Sequence, residues 1–186
     1  MSPVARYNFP MKKIALLSVL ALLAGACANK EPAAPPIHAA ALATPAPVTP
    51  PKSKPLADGA YRAELSLAQP APGRVSKTAL VKFVIRIRNT GTGIFPSKPS
   101  TGELRDAVRL SYHILKAEDR SLLIFDGLRA LLPADLPAGT AVDLPIGVKM
   151  PGAAGNYLLV FDLVHEDISW FEARKNPPLS VVVKVV

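Results

Sequence analysis

The sequence predicts an all-β domain over residues 58–186, an antiparallel immunoglobulin-like β-sandwich of about seven strands. Three observations lead to this fold class. Apolar residues recur at every second position in short stretches, turn-forming residues separate these stretches at fairly regular spacing, and no stretch has a convincing helical period. A barrel would produce the same periodicity, so it stays open as the alternative architecture.

The alternation assigns each predicted strand a core face and a polar face. In the clearest strand Phe83 belongs to the apolar face and Lys82 to the charged face. The segment Val108–Ile114 repeats the pattern, with Ser111 and His113 on its polar face. The predicted strands are Tyr61–Leu67, Ala79–Asn89, Val108–Ile114, Leu122–Phe125, Val142–Val148, Tyr157–Val164 and Leu179–Val186.

One tyrosine supports the immunoglobulin-like topology. Tyr157 follows the turn residues Gly155 and Asn156 and opens the penultimate strand. In a tyrosine corner, the phenol bonds back to the chain before the strand, and the residue two positions further on, here Leu159, points into the core. The alternative is a tyrosine that simply enters a strand.

The N-terminal region has the layout of a secretory signal. Two lysines precede a mostly apolar run of twelve residues, Ile14–Gly25, and small residues lead directly to Cys27. A transmembrane helix would need about 20 apolar residues. Residues 1–10 fit no signal pattern, so Met11 is the predicted true start and residues 11–26 are the predicted signal peptide.

This segment resembles the signal and lipobox of bacterial lipoproteins, in which the cysteine takes a diacylglycerol and an N-acyl chain such as palmitate. The resemblance implies that Cys27 is the lipid attachment site, with no other cofactor, and that the protein is anchored in the outer membrane, facing the periplasm or the cell surface. Ordinary secretion is the alternative, but it would leave a lone free thiol.

Composition bounds the rest of the chain. From Ala28 to Leu56 there are eight prolines and eight alanines without apolar periodicity, so residues 27–57 are predicted to be the lipidated cysteine and a disordered tether.

Removing Arg6, Lys12 and Lys13 from the formal charge of +8 leaves +5. This mild, scattered excess argues against nucleic acid as a partner. With Cys27 as the only cysteine, no internal disulfide is possible, so the fold depends on its hydrophobic core. The protein is expected to be a monomer.

A succession of short motifs runs from Val108 to Val186. They are Leu110-Ser-Tyr-His-Ile-Leu115, Asp126-Gly-Leu-Arg129 with Leu132-Pro133, Leu136-Pro-Ala-Gly139, Pro151-Gly152 with Gly155-Asn-Tyr-Leu158, and Asp162-Leu-Val-His-Glu166 with Trp170-Phe171. Their order and spacing resemble a bacterial Ig-like module that is often joined to glycosyltransferases and methyltransferases of surface-polysaccharide synthesis, and that is broadly similar to the glycan-binding sandwich of some O-antigen exporters. The resemblance implies a carbohydrate-related, non-catalytic role. Here Ala130 stands where a hydroxyl residue is more usual, and no enzyme is attached.

Six side chains lie at predicted strand ends or in loops, where binding residues concentrate: Asp126, Arg129, Asp162, His165, Glu166 and Trp170. All but Asp162 form the predicted glycan-binding site, because an indole can stack on a sugar while carboxylates and a guanidinium bind its hydroxyl groups. Two structural alternatives stay open. Trp170 and Phe171 could plug one end of the sandwich, and Asp126 could pair with Arg129 to hold a loop.

No pattern for catalysis or for a metal site is convincing. His113, His165 and Glu166 lack a second ligand cluster, and no serine has nucleophile-elbow context. The predicted function is therefore an envelope lipoprotein that binds surface polysaccharide or helps to assemble it, without being an enzyme. The alternative is a protein-interaction or structural subunit of an envelope complex. An exposed Trp170 beside polar groups would favour sugar, whereas a buried one with an apolar patch elsewhere would favour protein.

Overall fold

The computed structural model describes residues 55–57, 59–98 and 106–186. The predicted signal peptide, Cys27 and most of the predicted tether lie outside these residues. The strands are β1 (Ala63–Leu67), β2 (Arg74–Val75), β3 (Leu80–Asn89), β4 (Val108–Lys116), β5 (Leu122–Ile124), β6 (Ala130–Leu131), β7 (Ala141–Lys149), β8 (Gly155–His165), β9 (Ser169–Trp170) and β10 (Leu179–Val185). A single turn of 3-10 helix, Glu172–Arg174, precedes β10.

The strands form two sheets. The small sheet has the order β1-β3-β7, and the large sheet has the order β2-β10-β8-β4-β5, with β6 added to β4 and β9 added to β8. All pairs are antiparallel except the two-residue pair of β2 with β10. The predicted all-β sandwich is therefore confirmed, and each of the seven predicted strands is present.

The core lies between the two sheets and follows the predicted alternation. Phe83 of β3 is 2% exposed and its ring centroid lies 5.3 Å from that of Phe161 in β8, whereas Lys82 is exposed. Buried side chains from both sheets belong to one apolar cluster. Because adjacent residues of a strand point to opposite faces, this burial confirms the predicted phase of β3.

The tyrosine corner is confirmed as well. The Tyr157 hydroxyl donates a hydrogen bond of 2.9 Å to the carbonyl oxygen of Ala153, four residues upstream. Leu159, two positions after the tyrosine, is fully buried. The bond ties the turn before β8 to the start of the strand that lies at the centre of the large sheet.

The two sheets differ on their outer faces. On β3 the outer residues Lys82 and Arg86 are exposed, but on β4 the outer residues Ser111 and His113 are buried. The predicted alternation of β4 is therefore present, but its polar face is buried. The segment 125–131, which we call the covering segment, runs along the edge of β4, and the side chains of Phe125, Arg129 and Trp170 lie against Ser111 and His113. No helix in the part of the chain that the structure describes is long and apolar enough to span a membrane.

Candidate functional site

Arg129 is the centre of a polar cluster on the outer face of the large sheet. Its Nε donates to Glu166 Oε1 at 2.8 Å. Its Nη1 donates to Ser111 Oγ at 2.7 Å, to the Gly127 carbonyl oxygen at 3.1 Å and to the Asp126 carboxylate. These bonds fix the guanidinium against β4, because its partners come from both the sheet and the covering segment.

Three aromatic rings complete this surface. The Arg129 Cζ atom lies 5.1 Å from the centroid of the Trp170 ring. The His113 ring lies 4.4 Å from Trp170 and stacks on Phe125 at 4.9 Å between centroids, with 24° between the planes. We use the name Arg129 cluster for the six residues of this surface: His113, Phe125, Asp126, Arg129, Glu166 and Trp170.

The covering segment can lie this close to β4 because residue 127 is glycine. The Gly127 N–H donates to the Tyr112 carbonyl oxygen at 3.0 Å. A Cβ atom at this position would lie 2.5 Å from the Tyr112 ring, closer than real Cβ atoms come to a neighbour. A second bond joins His113 Nδ1 to the Phe125 carbonyl oxygen. Glycine therefore allows the close approach, and the two bonds hold the segment in place.

In the Arg129 cluster, burial and the neighbouring polar groups shift the pKa values of Arg129 and His113 in opposite directions. Burial opposes the charge of Arg129, but its hydrogen bonds to Asp126 and Glu166 outweigh this and raise the pKa of the guanidinium. Burial lowers the pKa of His113, although its bond to the Phe125 carbonyl and the charge of Asp126 act against this. At neutral pH the cluster therefore holds a charged guanidinium between two carboxylates, with an uncharged imidazole beneath the aromatic rings.

The structure brings together four of the five predicted site residues. Asp126, Glu166 and Trp170 each contact Arg129 directly. Trp170 is partly exposed, whereas its neighbour Phe171 is fully buried. Of the two aromatic residues that could plug the sandwich, Phe171 therefore does so. The pairing of Asp126 with Arg129, which was the structural alternative for these residues, is also present.

His165 does not belong to the cluster, which corrects the predicted site. Its side chain is 1% exposed, and Nδ1 lies 3.0 Å from the Tyr61 hydroxyl oxygen. Burial also lowers its pKa. The reason is the phase of β8: Leu163 points into the core, so His165, two residues later, points to the same side, away from the outer face.

Asp162 lies within β8, so its predicted place at a strand end is also wrong. It is fully buried on the outer face of the large sheet and accepts backbone N–H bonds from Leu163 at 2.8 Å and Glu172 at 3.0 Å. Burial raises the pKa of Asp162 from its ordinary value of 3.8 to about 7, although both bonds oppose the shift. Asp162 thus helps to hold the 3-10 turn on the sheet.

Two members of the Arg129 cluster, His113 and Phe125, and two residues in contact with it, Arg109 and Ser111, were not predicted as site residues. Arg109, Ser111 and His113 share the outer face of β4, and Arg109 Nη1 lies 3.5 Å from Glu166 Oε1. The alternation of β4 places all three on one face, so this parity was the signal that could have grouped them. Phe125 had no such signal, because it follows β5 in a segment without periodicity.

Exposed apolar side chains are concentrated in the segment that carries Phe125, Asp126 and Arg129. Within the ten residues 122–131, five large apolar side chains are at least 40% exposed: Leu122, Leu123, Phe125, Leu128 and Leu131. Contiguous apolar exposure of this kind is uncommon on a monomer and marks an interaction surface. We call the four leucines the apolar rim.

Two other features of the described residues bear on a candidate site: the placement of metal-ligating side chains and a groove. In residues 55–57, 59–98 and 106–186, no three His, Cys, Asp or Glu side chains are placed to hold a metal ion. An open groove of about 410 Å³ lies between β1 and the start of β10 and is lined by residues such as Arg62, Glu64 and Pro178. It contains none of the predicted site residues.

No protein-family model matches the chain, and no curated protein matches it. The chain is similar to the CARDB domain of PF1109 from Pyrococcus furiosus in solution, with 16% identity and a TM-score of 0.39 over 67% of this chain and 93% of that one. The crystal structure of that domain with di-metal ions is 15% identical, with a TM-score of 0.40, and the match covers 67% of this chain and 86% of that one. The sporulation control protein Spo0M from Bacillus subtilis is 11% identical, with a TM-score of 0.40, and the match covers 67% of this chain and 48% of that one.

Proposed function

We propose that this protein is a non-catalytic binding module of the bacterial cell envelope, anchored by a lipid on Cys27, and that the Arg129 cluster binds surface polysaccharide. One observation carries the choice of surface. Partly exposed aromatic rings, Trp170 and Phe125, lie directly beside two carboxylates and a guanidinium on an open face of the large sheet. Stacking rings next to hydrogen-bonding groups are what a sugar requires.

The cluster is suited to binding because most of it is already ordered. Arg129 is held by four partners, so little side-chain entropy is lost when a ligand arrives. The Asp126 side chain is 58% exposed and can accept further hydrogen bonds from hydroxyl groups. Phe125 is 42% exposed and rests on the buried His113 ring, which supports it from below.

Geometry also supports a role without catalysis. Asp126 and Glu166 both bind the same guanidinium, so they do not face each other across an empty cleft where a glycosidic bond would lie. The surface is open, whereas chemistry on a sugar benefits from a site that excludes water.

The glycan assignment is tested by retention of the full chain on immobilised envelope polysaccharides. Trp170→Ala should abolish retention with only a modest loss of stability, because the ring is partly exposed. Val182→Ala, a truncation of an exposed apolar residue elsewhere on the large sheet, is the matched control and should keep retention. If the Trp170 variant binds like the wild type, the cluster is not the glycan site. A large fall in its melting temperature would assign Trp170 to the fold instead.

A protein partner is the second candidate, and the apolar rim favours it. Trp and Arg at the centre with apolar residues around them is the composition of a protein-binding hot spot. Replacing two rim residues, Leu128→Ser with Leu131→Ser, should abolish cross-linking to an envelope protein and leave polysaccharide retention intact if this second function holds. Loss of polysaccharide retention in the same variant would instead extend the glycan surface over the rim.

The lipid anchor is tested separately. Cys27→Ser should release the protein from membranes and leave the melting temperature of the domain unchanged, because Cys27 is far in sequence from the core residues. A variant that still sediments with membranes after a high-salt wash would refute the anchor.

A further inference from the structure

Five exposed cations lie near one end of the sandwich, in β2, β3, β7, β10 and the turn after β2: Arg74, Lys77, Lys82, Lys149 and Lys184. We call this surface, together with Leu80, the basic end. The strand ladders place them in two groups, with Lys82 and Lys149 beside Leu80 on the outer face of the small sheet and with Arg74 and Lys184 on the outer face of the large sheet, which points the opposite way. Leu80 at the start of β3 pairs directly with Lys149 at the end of β7, Lys184 of β10 pairs with Arg74 of β2, and the Lys77 N–H bonds to the Val186 carbonyl oxygen at 3.3 Å.

The charge of this end is not balanced locally. Across residues 55–57, 59–98 and 106–186, no ion pair joins any of the five cations to a carboxylate. Two acidic residues, Glu118 and Asp119, lie in the turn after β4, together with the cations Lys116 and Arg120, on the side of the large sheet away from β2. An uncompensated cluster of this kind creates a positive potential that attracts an anionic partner.

Apolar side chains stand among these cations. Leu80 is 66% exposed, and its neighbours on the outer face of the small sheet are Lys149, directly opposite, and Lys82, two residues along the strand. On the opposite outer face, that of the large sheet, Val182 is 61% exposed and Lys184 lies two residues further along β10. Cations around an exposed apolar side chain match a bilayer surface, because the charges meet anionic headgroups while the apolar group enters the boundary of the acyl chains.

We propose that the small-sheet side of the basic end, with Leu80, Lys82 and Lys149, docks on the surface of an anionic lipid bilayer. This site shares no residue with the Arg129 cluster, so its failure would leave the proposed function unaffected. The complementarity of charge selects anionic lipids over zwitterionic ones. The exposed leucine distinguishes a bilayer from a soluble polyanion, which offers nothing apolar to contact.

Lysine footprinting on the full chain tests the proposal. The protein is labelled with an amine-reactive reagent on vesicles of phosphatidylcholine alone, or of phosphatidylcholine and phosphatidylglycerol in equal parts. We expect Lys77, Lys82 and Lys149 to be protected on the anionic vesicles only, and the protection to disappear in high salt. Lys98 and Lys175, exposed elsewhere, should be labelled equally on both. Equal labelling of Lys82 and Lys149 on the two kinds of vesicle would overturn the proposal.

A pair of charge-matched variants sharpens the test. Lys82→Glu with Lys149→Glu changes the net charge as much as Lys98→Glu with Lys175→Glu, and all four side chains are exposed. The first variant should raise the amount of anionic lipid needed to protect Lys77 by at least about 25-fold, since each basic residue near the surface contributes about fivefold. The second should leave it unchanged. An equal effect of the two variants would show that net charge alone acts.

Leu80→Ser separates the bilayer from a soluble polyanion. It should weaken protection by anionic vesicles and leave protection by soluble polyphosphate as it is in the wild type. If polyphosphate protects the same lysines as well as vesicles do, and Leu80→Ser affects neither, the partner is a soluble polyanion and the bilayer proposal is wrong.

Discussion

The outer faces of the two sheets carry the same type of ion pair in different surroundings. On the small sheet, Arg86 and Asp143 are 3.5 Å apart with side chains 59% and 47% exposed. On the large sheet, Arg129 and Glu166 are 2.8 Å apart with side chains 21% and 19% exposed. The comparison shows that the types of the two residues do not determine how much an ion pair contributes to stability. Water screens the first pair, whereas the second is partly desolvated and fixes a chain segment to the sheet.

The difference arises from what lies over each sheet. No described segment covers the outer face of β3, so its charged side chains are solvated. On the large sheet, Trp170 and side chains of the covering segment lie against β4, the turn after β9 lies against Asp162 of β8, and Ser111 and Asp162 are both fully buried there. The large sheet therefore has a second buried layer outside the main core, and this layer is where the candidate site lies.

Charge insertion should show the largest difference between the faces. Phe83→Asp should unfold the domain, because an unpaired charge cannot remain in the apolar interior. Lys82→Asp, next to it on the solvated face, should change stability by no more than about 0.5 kcal/mol. Val160→Asp, on the covered outer face of the large sheet, should cost about 2 kcal/mol or more. Chemical denaturation measures all three, and equal tolerance of Val160→Asp and Lys82→Asp would contradict the second buried layer.

Asp162 should make stability depend on pH. The folded protein keeps a proton on this carboxyl up to about pH 7, whereas the unfolded chain releases it near its ordinary pKa of 3.8. The folded state therefore binds more protons between these values, and stability falls as pH rises through this window, by at most about 1.4 kcal/mol per pH unit for one group. Asp162→Asn should flatten the fall in unfolding free energy measured from pH 4 to pH 7. An unchanged slope would mean that another group is responsible, and Glu172, whose pKa is also raised by burial, is the first to replace.

Removing each arginine in turn compares the two ion pairs directly. Arg129→Ala should cost about 2 to 3 kcal/mol, because Glu166, Asp126 and Ser111 lose a charged hydrogen-bond partner at a partly buried position. Arg86→Ala should cost less than about 1 kcal/mol. Urea unfolding of both variants supplies the numbers, and similar values would remove the distinction between the faces.

The closeness of the covering segment can be tested with a single methyl group. Gly127→Ala should lower stability by about 1 to 2 kcal/mol, because the new Cβ atom would overlap the Tyr112 ring and push the segment outward. Gly73→Ala is the matched control, since nothing lies within 4 Å of the position of its Cβ atom. Thermal melting should separate the two variants, and hydrogen exchange at residue 127 should rise in the first. Equal melting temperatures would show that the segment can move away from the Tyr112 ring without loss of stability.

Much of the fold could be predicted because alternation is a local signal. The phase of β3 and the tyrosine corner depend on residues only a few positions apart, so Phe83, Tyr157 and Leu159 lie where the sequence indicates. The strands β2, β6 and β9 have two residues each, which is too short for any period to be visible.

The candidate site was less predictable because its contacts are long-range. The convergence of Asp126, Arg129, Glu166 and Trp170 follows from the pairing of β4 with β8, which periodicity cannot assign. Alternation also says which side of a strand a residue faces, but not whether another segment covers that side. His165 is the opposite case, since counting two residues from the core position Leu163 already indicates an inward direction.

The pairing of β4 with β8 has a consequence for the speed of folding. Both long ladders, β4 with β8 and β3 with β7, join strands that are dozens of residues apart in the chain. Closing such loops lowers the entropy of the chain before the strand contacts that stabilise the fold can form. We therefore expect folding in milliseconds to seconds and not in microseconds. The covering segment belongs to the loop between β4 and β8, and Glu166 follows β8 directly. Arg129 therefore meets Glu166 only when that loop closes, so the candidate site assembles together with the β4–β8 ladder or after it.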